Sequence, residues 1–306
     1  MTMAPRPPST FVVSITPFTA DGALDEDGLR AHLRRMRDAG VGVYLAGSGS
    51  GEGYTLDDRE TSRVLEIGVD ELRGHVPVRA MGVEPRTSAE MVARARRAEE
   101  LGVDAVQLYS LDPGHGNRPS PRELERYLYD VLAATSRPVV LSTHESVGYL
   151  LPVELIASVV GDERVVGVNC STNDVNYLVR VVEAVDGRAD VHVGGPMHAL
   201  TCLALGGQGF LSSDANLAPQ LCASVIDRWQ ASDRAGLEQA FETLLRLYTT
   251  TRALGGLTAT KTALELLGRP GGPPRPPRLP ADGAARAQVQ QRIVDAFGGP
   301  DSPTLR

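Results

Sequence analysis

Short apolar runs rich in β-branched residues recur every few tens of positions along the chain, at 11–15, 41–46, 77–81, 105–109, 138–142, 165–169, 190–194 and 209–212. Between each pair lies a stretch whose apolar residues repeat at helical spacing. The runs are continuously apolar rather than alternating, which fits strands covered on both faces, and no hairpin-type turn separates them. Eight strands alternating with helices predict an α/β fold in which a parallel sheet closes into a (β/α)8 TIM barrel.

Local signals mark the helix ends. Ser120-Pro-Arg-Glu123 and Asp57-Asp-Arg-Glu60 read as capping boxes, the first with proline at the first helical position. Gly40, Gly102 and Gly207 stand where helices should stop. After the eighth strand the pattern is helical only, at 219–231, 235–253 and 258–267, then again near 283–297 beyond a Pro/Gly-rich stretch. The expected organisation is a flexible amino-terminal arm (1–10) and a barrel core (11–217). The last barrel helix and a C-terminal helical extension (218–298) follow, then a loose tail (299–306).

Composition narrows the function classes. A formal net charge of −7 over 306 residues argues against a nucleic-acid or membrane-surface partner, and a small-molecule substrate is expected instead. The odd set Cys170, Cys202 and Cys222, without CxxC spacing, suggests reduced thiols and a cytoplasmic location. The chain has one lysine, Lys261, beside 30 arginines. Barrel enzymes that form a Schiff base need a lysine at a strand end, so its position matters.

Catalytic groups of such a barrel follow the carboxyl ends of its strands. Reading those ends off gives Thr16-Pro-Phe18, Ser48-Gly-Ser-Gly-Glu52, Glu84 with Arg86, and the long loop from Ser110 through His115 to Arg118. The later ends are Ser142-Thr-His-Glu145, Asn169-Cys-Ser171, Gly194-Gly-Pro196 and Ser212-Ser-Asp214. From Thr16 to about Leu267 the chain resembles the dihydrodipicolinate synthase / N-acetylneuraminate lyase family. The resemblance rests on Thr16-Pro-Phe18 before Asp21-Gly22, on Gly-Ser-Gly-Glu52 followed by Leu56 and Glu60, and on Leu205-Gly-Gly-Gln-Gly-Phe-Leu-Ser212 running into Ala215-Asn216. Thr260-Lys261 before Leu267-Gly268 matches the helical tail. It implies a lyase or aldolase and a homo-oligomer, either a dimer or a tetramer.

The departures from the family pattern are specific. Where the family carries its Schiff-base lysine in a Gly-x-Lys pattern, this chain has Gly167-Val168-Asn169; where it carries a catalytic tyrosine, this chain has Leu141-Ser142-Thr143. Lys261 matches a lysine of the outer helical region. The expectation is therefore an enzyme acting on a small carbonyl or carboxylate compound without an iminium, by aldol cleavage, hydration or cyclisation. His144 would move protons, and Asn169 and Ser50 would hold the developing oxyanion or carboxylate. Thr16, Gly49, Gly51, Tyr109, His115, Ser142, Gly194 and Ser212 are the expected substrate-binding set, and Tyr54 offers a further phenol. No cofactor is expected; the scattered His115, His144, Glu84, Glu145 and Asp214 leave a divalent metal as a secondary option. The alternative reading is a catalytically silent barrel that binds a metabolite or serves as a partner subunit.

Overall fold

The computed structural model of the protein describes residues 7–299 and 302–305. Eight parallel strands close in chain order into a barrel: β1 (Ser9–Val13), β2 (Gly42–Leu45), β3 (Val78–Ala80), β4 (Ala105–Leu108), β5 (Val139–His144), β6 (Val165–Ser171), β7 (Asp190–Gly194) and β8 (Gly209–Leu211). The expected strands are all present. β5 and β6 run two residues further than expected, so His144 and Ser171 end strands rather than start loops.

Both capping boxes form. Asp57 caps the helix Asp58–Leu72 against Glu60, and Ser120 caps Pro121–Ala134 against Glu123. These motifs are legible in sequence because both partners lie within one turn. Gly102 ends its helix in the left-handed conformation at φ 80°. After the seventh barrel helix, however, Gly206 takes the positive φ rather than the expected Gly207.

The C-terminal extension contains helices Pro219–Gln230, Arg234–Ala253, Leu257–Leu266 and Gly283–Val289, the last continuing as a π-helical stretch, Gln290–Asp295. Two expected boundaries need correction. Ser9 and Thr10 belong to β1, because Ser9 N–H donates to Gln208 O at 2.7 Å, so the arm is shorter than 1–10. The described part of the tail is not loose: Ser302 and Leu305 are buried, and Arg269 donates to the Leu305 carbonyl.

Two compact units share the chain. One comprises Arg79–Leu211 with the segment ending at Ser9; the other comprises Thr10–Val78 and Ser212–Arg306. No described helix is long and apolar enough to cross a membrane.

Candidate active site

Register across β5, β6 and β7 explains which residues share a face. Ser142 pairs with Asn169, His144 with Ser171, and Asn169 with His192. Residues two apart on a strand point the same way, so Ser142, His144, Asn169, Ser171, His192 and Gly194 line one face. Asn169 Nδ2 donates to Gln107 Oε1 of β4 at 2.7 Å. Since β4 and β6 are not neighbours, that bond crosses the barrel lumen and fixes this face as the inner one. Gly194 is there for space: a Cβ would come within 2.4 Å of Ser171 Oγ.

His144 ends β5 and is buried. Its Nδ1 is hydrogen-bonded to Ser146 Oγ, and its ring meets the edge of Tyr109 at 5.4 Å between centroids. Nε2 lies 3.8 Å from Glu84 Oε1, beyond hydrogen-bond length, and has no hydrogen-bond partner. Burial pushes the His144 pKa below its ordinary value, and the Glu84 carboxylate pulls the other way. A neutral imidazole beside a carboxylate can accept a proton and have the resulting cation stabilised.

Asn169 is also buried, and its Oδ1 has no partner. An unsatisfied buried acceptor costs on the order of 1–3 kcal/mol, which a ligand hydroxyl or an ordered water relieves. Orphan polar atoms on adjacent strands of one face make this face a candidate ligand-binding site.

The other expected residues fall into distinct settings. In the same unit Ser142 is buried and its carbonyl accepts from Ser110 Oγ at 3.1 Å. Tyr109 is buried, and its carbonyl accepts from Tyr127 Oη at 2.8 Å. His115 is exposed at φ 55° between Gly114 and Gly116. Glu145 turns away from its neighbour His144 and accepts from Thr172 Oγ1 at 2.7 Å.

In the second unit Thr16 Oγ1 donates to Gly51 O at 2.7 Å. Gly51 is required by close packing, since a Cβ would approach Gly47 N and O at 2.8 Å. Gly49 is exposed and Ser50 half-buried in the same loop. Ser212 caps its own turn, donating to Asp214 Oδ2 at 2.6 Å. Asp214 also accepts from Thr251 Oγ1 at 3.3 Å, and Tyr54 is exposed and accepts from Arg278 Nε at 2.7 Å. Among the described residues no three His, Cys, Asp or Glu side chains gather as metal ligands do.

Sequence reasoning missed Gln107 and His192. His192 is fully buried, bonds Ser9 Oγ through Nε2 at 2.9 Å, and leaves Nδ1 unpartnered. Both sit mid-strand, and only the period-2 alternation with Tyr109 and Gly194 could have drawn attention to them. Lys261 lies on the helix Leu257–Leu266 of the C-terminal extension, as expected, and is fully buried there, with Nζ 2.5 Å from Glu52 Oε1. The three cysteines are free and buried.

Comparison with known proteins decides the family. The profile described as Dihydrodipicolinate synthetase family matches residues 8–296.

The chain belongs to the dihydrodipicolinate synthetase family.

It is 35% identical over 270 residues to a 4-hydroxy-tetrahydrodipicolinate synthase of Methanopyrus kandleri, covering 86% of this chain and 87% of that one. It is 30% identical over 289 residues to the synthase of Methanothrix thermoacetophila, covering 93% and 95%. A prophage protein of the family from E. coli K12, solved in complex with pyruvate, superposes with a TM-score of 0.85 at 26% identity, covering 93% and 96%. The lyase/aldolase barrel of that family is therefore the scaffold of this chain.

Proposed function

We propose that this chain is a lyase or aldolase-type enzyme acting on a small carbonyl or carboxylate substrate without a lysine Schiff base. The observation that carries the reading is the pairing of two sites. The inner face of β6 presents Asn169, held by Gln107, and the chain's one lysine is sequestered against Glu52. An amine paired at 2.5 Å with a carboxylate and wholly buried is a poor nucleophile toward a ketone.

In this reading His144 Nε2 takes the proton removed from substrate, and Glu84 stabilises the imidazolium that results. Asn169 supplies what the iminium supplied: its amide engages the substrate oxygen where negative charge develops, and Oδ1 accepts a hydrogen bond from a substrate hydroxyl. Ser142, beside Asn169 in register, and Tyr109, against His144, shape the pocket. Within the second unit, Thr16, Gly49, Ser50 and Gly51, on loops after β1 and β2, are proposed separately as candidate carboxylate-binding groups through backbone N–H and hydroxyl groups. Aldol cleavage, hydration and cyclisation all fit this set, because each requires an acid, a base and an oxyanion stabiliser. No cofactor enters the scheme. A homo-oligomer, dimer or tetramer, is part of the proposal; Met197 and Leu205, exposed apolar side chains flanking the helix Ala199–Ala204, suit such a surface.

The test combines ligand-induced thermal shift with borohydride trapping. Pyruvate and related keto acids should raise the melting temperature through binding to the native state, and borohydride should leave the protein mass unchanged. An adduct on Lys261 overturns the non-covalent mechanism. The absence of any shift across keto acids, sugar acids and amino acids favours the silent barrel instead.

A further inference from the structure

Lys261 is built into the protein with more partners than neutralising one carboxylate requires. Its Nζ lies 2.5 Å from Glu52 Oε1 and donates to two main-chain carbonyls, Thr16 O at 2.9 Å and Pro273 O at 3.1 Å. The same cation stands 4.5 Å from the centroid of the Phe18 ring. It therefore touches three separate segments: the loop after β1, the loop after β2 and the strap that follows the helix Leu257–Leu266.

Those segments interlock. Glu52 is fully buried and holds a left-handed backbone at φ 51°, a conformation that costs a non-glycine residue energy unless its surroundings enforce it. Its Oε2 accepts from Arg275 N at 2.9 Å, so both carboxylate oxygens are tied to the C-terminal part of the chain. Thr16, whose carbonyl binds Lys261, donates through Oγ1 to Gly51 O at 2.7 Å. Gly272 passes so close to Phe18 that a Cβ would meet its carbonyl at 2.0 Å. Arg275 lies over the Phe18 ring at 4.0 Å and reaches Glu60 Oε1 at 2.6 Å and Thr55 O at 3.0 Å.

We propose that Lys261 is a positioning residue, a buried pin that sets the conformation of the 47–52 loop by holding Glu52, Thr16 and Pro273 together. The proposal rests on the reading above that this loop takes the substrate carboxylate. In place of the covalent role that a lysine has elsewhere in the family, the single lysine here acts on substrate through the loop it holds.

The experiment is amide hydrogen exchange by mass spectrometry on the full chain, with pyruvate affinity measured calorimetrically in parallel. Lys261→Met should raise exchange across 47–56 and 14–18 by about tenfold or more while leaving 139–171 at wild-type protection. Pyruvate affinity should weaken in step. The double variant Lys261→Met/Glu52→Gln removes both charges. It should recover melting temperature, yet its 47–56 exchange should stay fast, because Thr16 O and Pro273 O still lack their donor. A pair that served only charge balance would regain loop protection along with stability. Should Lys261→Met fail to fold, Glu52→Gln alone carries the test, since it keeps an acceptor for Arg275 N. Unchanged exchange at 47–56, or an equal rise at 139–171, overturns the proposal. If wild-type protein ignores pyruvate, the ligand reading weakens on its own while the exchange result still decides the role of Lys261.

Discussion

Glu84 Oε1 stands 3.8 Å from His144 Nε2, close enough to act on its charge and too far to bond it. The histidine is consequently pulled two ways, down by burial and up by the carboxylate. Removing the carboxylate leaves burial unopposed, so Glu84→Gln should lower the His144 pKa further. The shift is readable by NMR titration of the His144 ring without any substrate. Where turnover is followed, the acid limb of kcat/KM should move to lower pH in that variant, and His144→Asn should reduce kcat by about 10²-fold or more. A titration that stays in place after Glu84→Gln denies the coupling. Undiminished turnover in His144→Asn removes it as the base.

Asn169 offers a second and more direct test. In the function proposed above it stands on strand six in place of the family's lysine, and its amide is held by Gln107 on the lumen face. A lysine placed there would be desolvated, which lowers its pKa and favours the neutral, nucleophilic amine. Asn169→Lys should therefore gain a borohydride-trappable pyruvate adduct that maps to residue 169, with wild type unlabelled. Failure of the variant to trap pyruvate while remaining folded means that this face does not admit a keto acid, and the substrate class proposed above falls with it.

What could be read from sequence follows the range of the interaction. The barrel and the two capping boxes rest on periodicities and on partners three residues apart, so Asp57 with Glu60 and Ser120 with Glu123 were legible. His144 and Asn169 were singled out because the sequence puts them at or near strand ends, where His144 does end β5 while β6 runs on to Ser171. Gln107 and His192 were not, since their importance lies in bonds to Asn169 and Ser9 across the barrel lumen, which no local pattern encodes. His115 and Ser212 were expected to bind substrate from position alone. His115 is exposed, and the Ser212 hydroxyl donates to Asp214. Lys261 was placed on the C-terminal helices, but its burial against Glu52 was not legible, because the two meet only through the folded chain.

His192 gives a stability prediction that needs no assay. Burial, with Arg79 adding to it, depresses its pKa from the ordinary 6.5 to about 3. Above pH 6.5 folded and unfolded chains are both neutral at this ring. Between 6.5 and about 3 the unfolded chain binds a proton that the folded one refuses, so stability falls as pH falls. Wild type should lose about 1.4 kcal/mol per pH unit relative to His192→Gln over that window, measured by urea unfolding between pH 7 and 5. A difference that stays flat with pH would show that His192 is solvated.

Asp214 should behave with the opposite sign. Burial raises its pKa from 3.8 to about 6, although the Ser212 and Thr251 hydroxyls favour the ionised form. Below pH 3.8 both states are protonated and the contribution is fully present; between 3.8 and about 6 the folded chain keeps a proton that the unfolded one releases. Stability from this group is thus lost as pH rises through about 6. Asp214→Asn carries no such charge, and its amide oxygen still accepts from one of the two hydroxyls. Relative to wild type it should gain about 1.4 kcal/mol per unit as pH rises from 4 to 6, then level off. The same urea series on both variants separates the two groups, because the His192 difference grows toward acid and the Asp214 difference grows toward neutrality. If Asp214→Asn instead loses ground as pH rises, the carboxylate is stabilised as an anion, and its ties to Ser212 and Thr251 outweigh its burial.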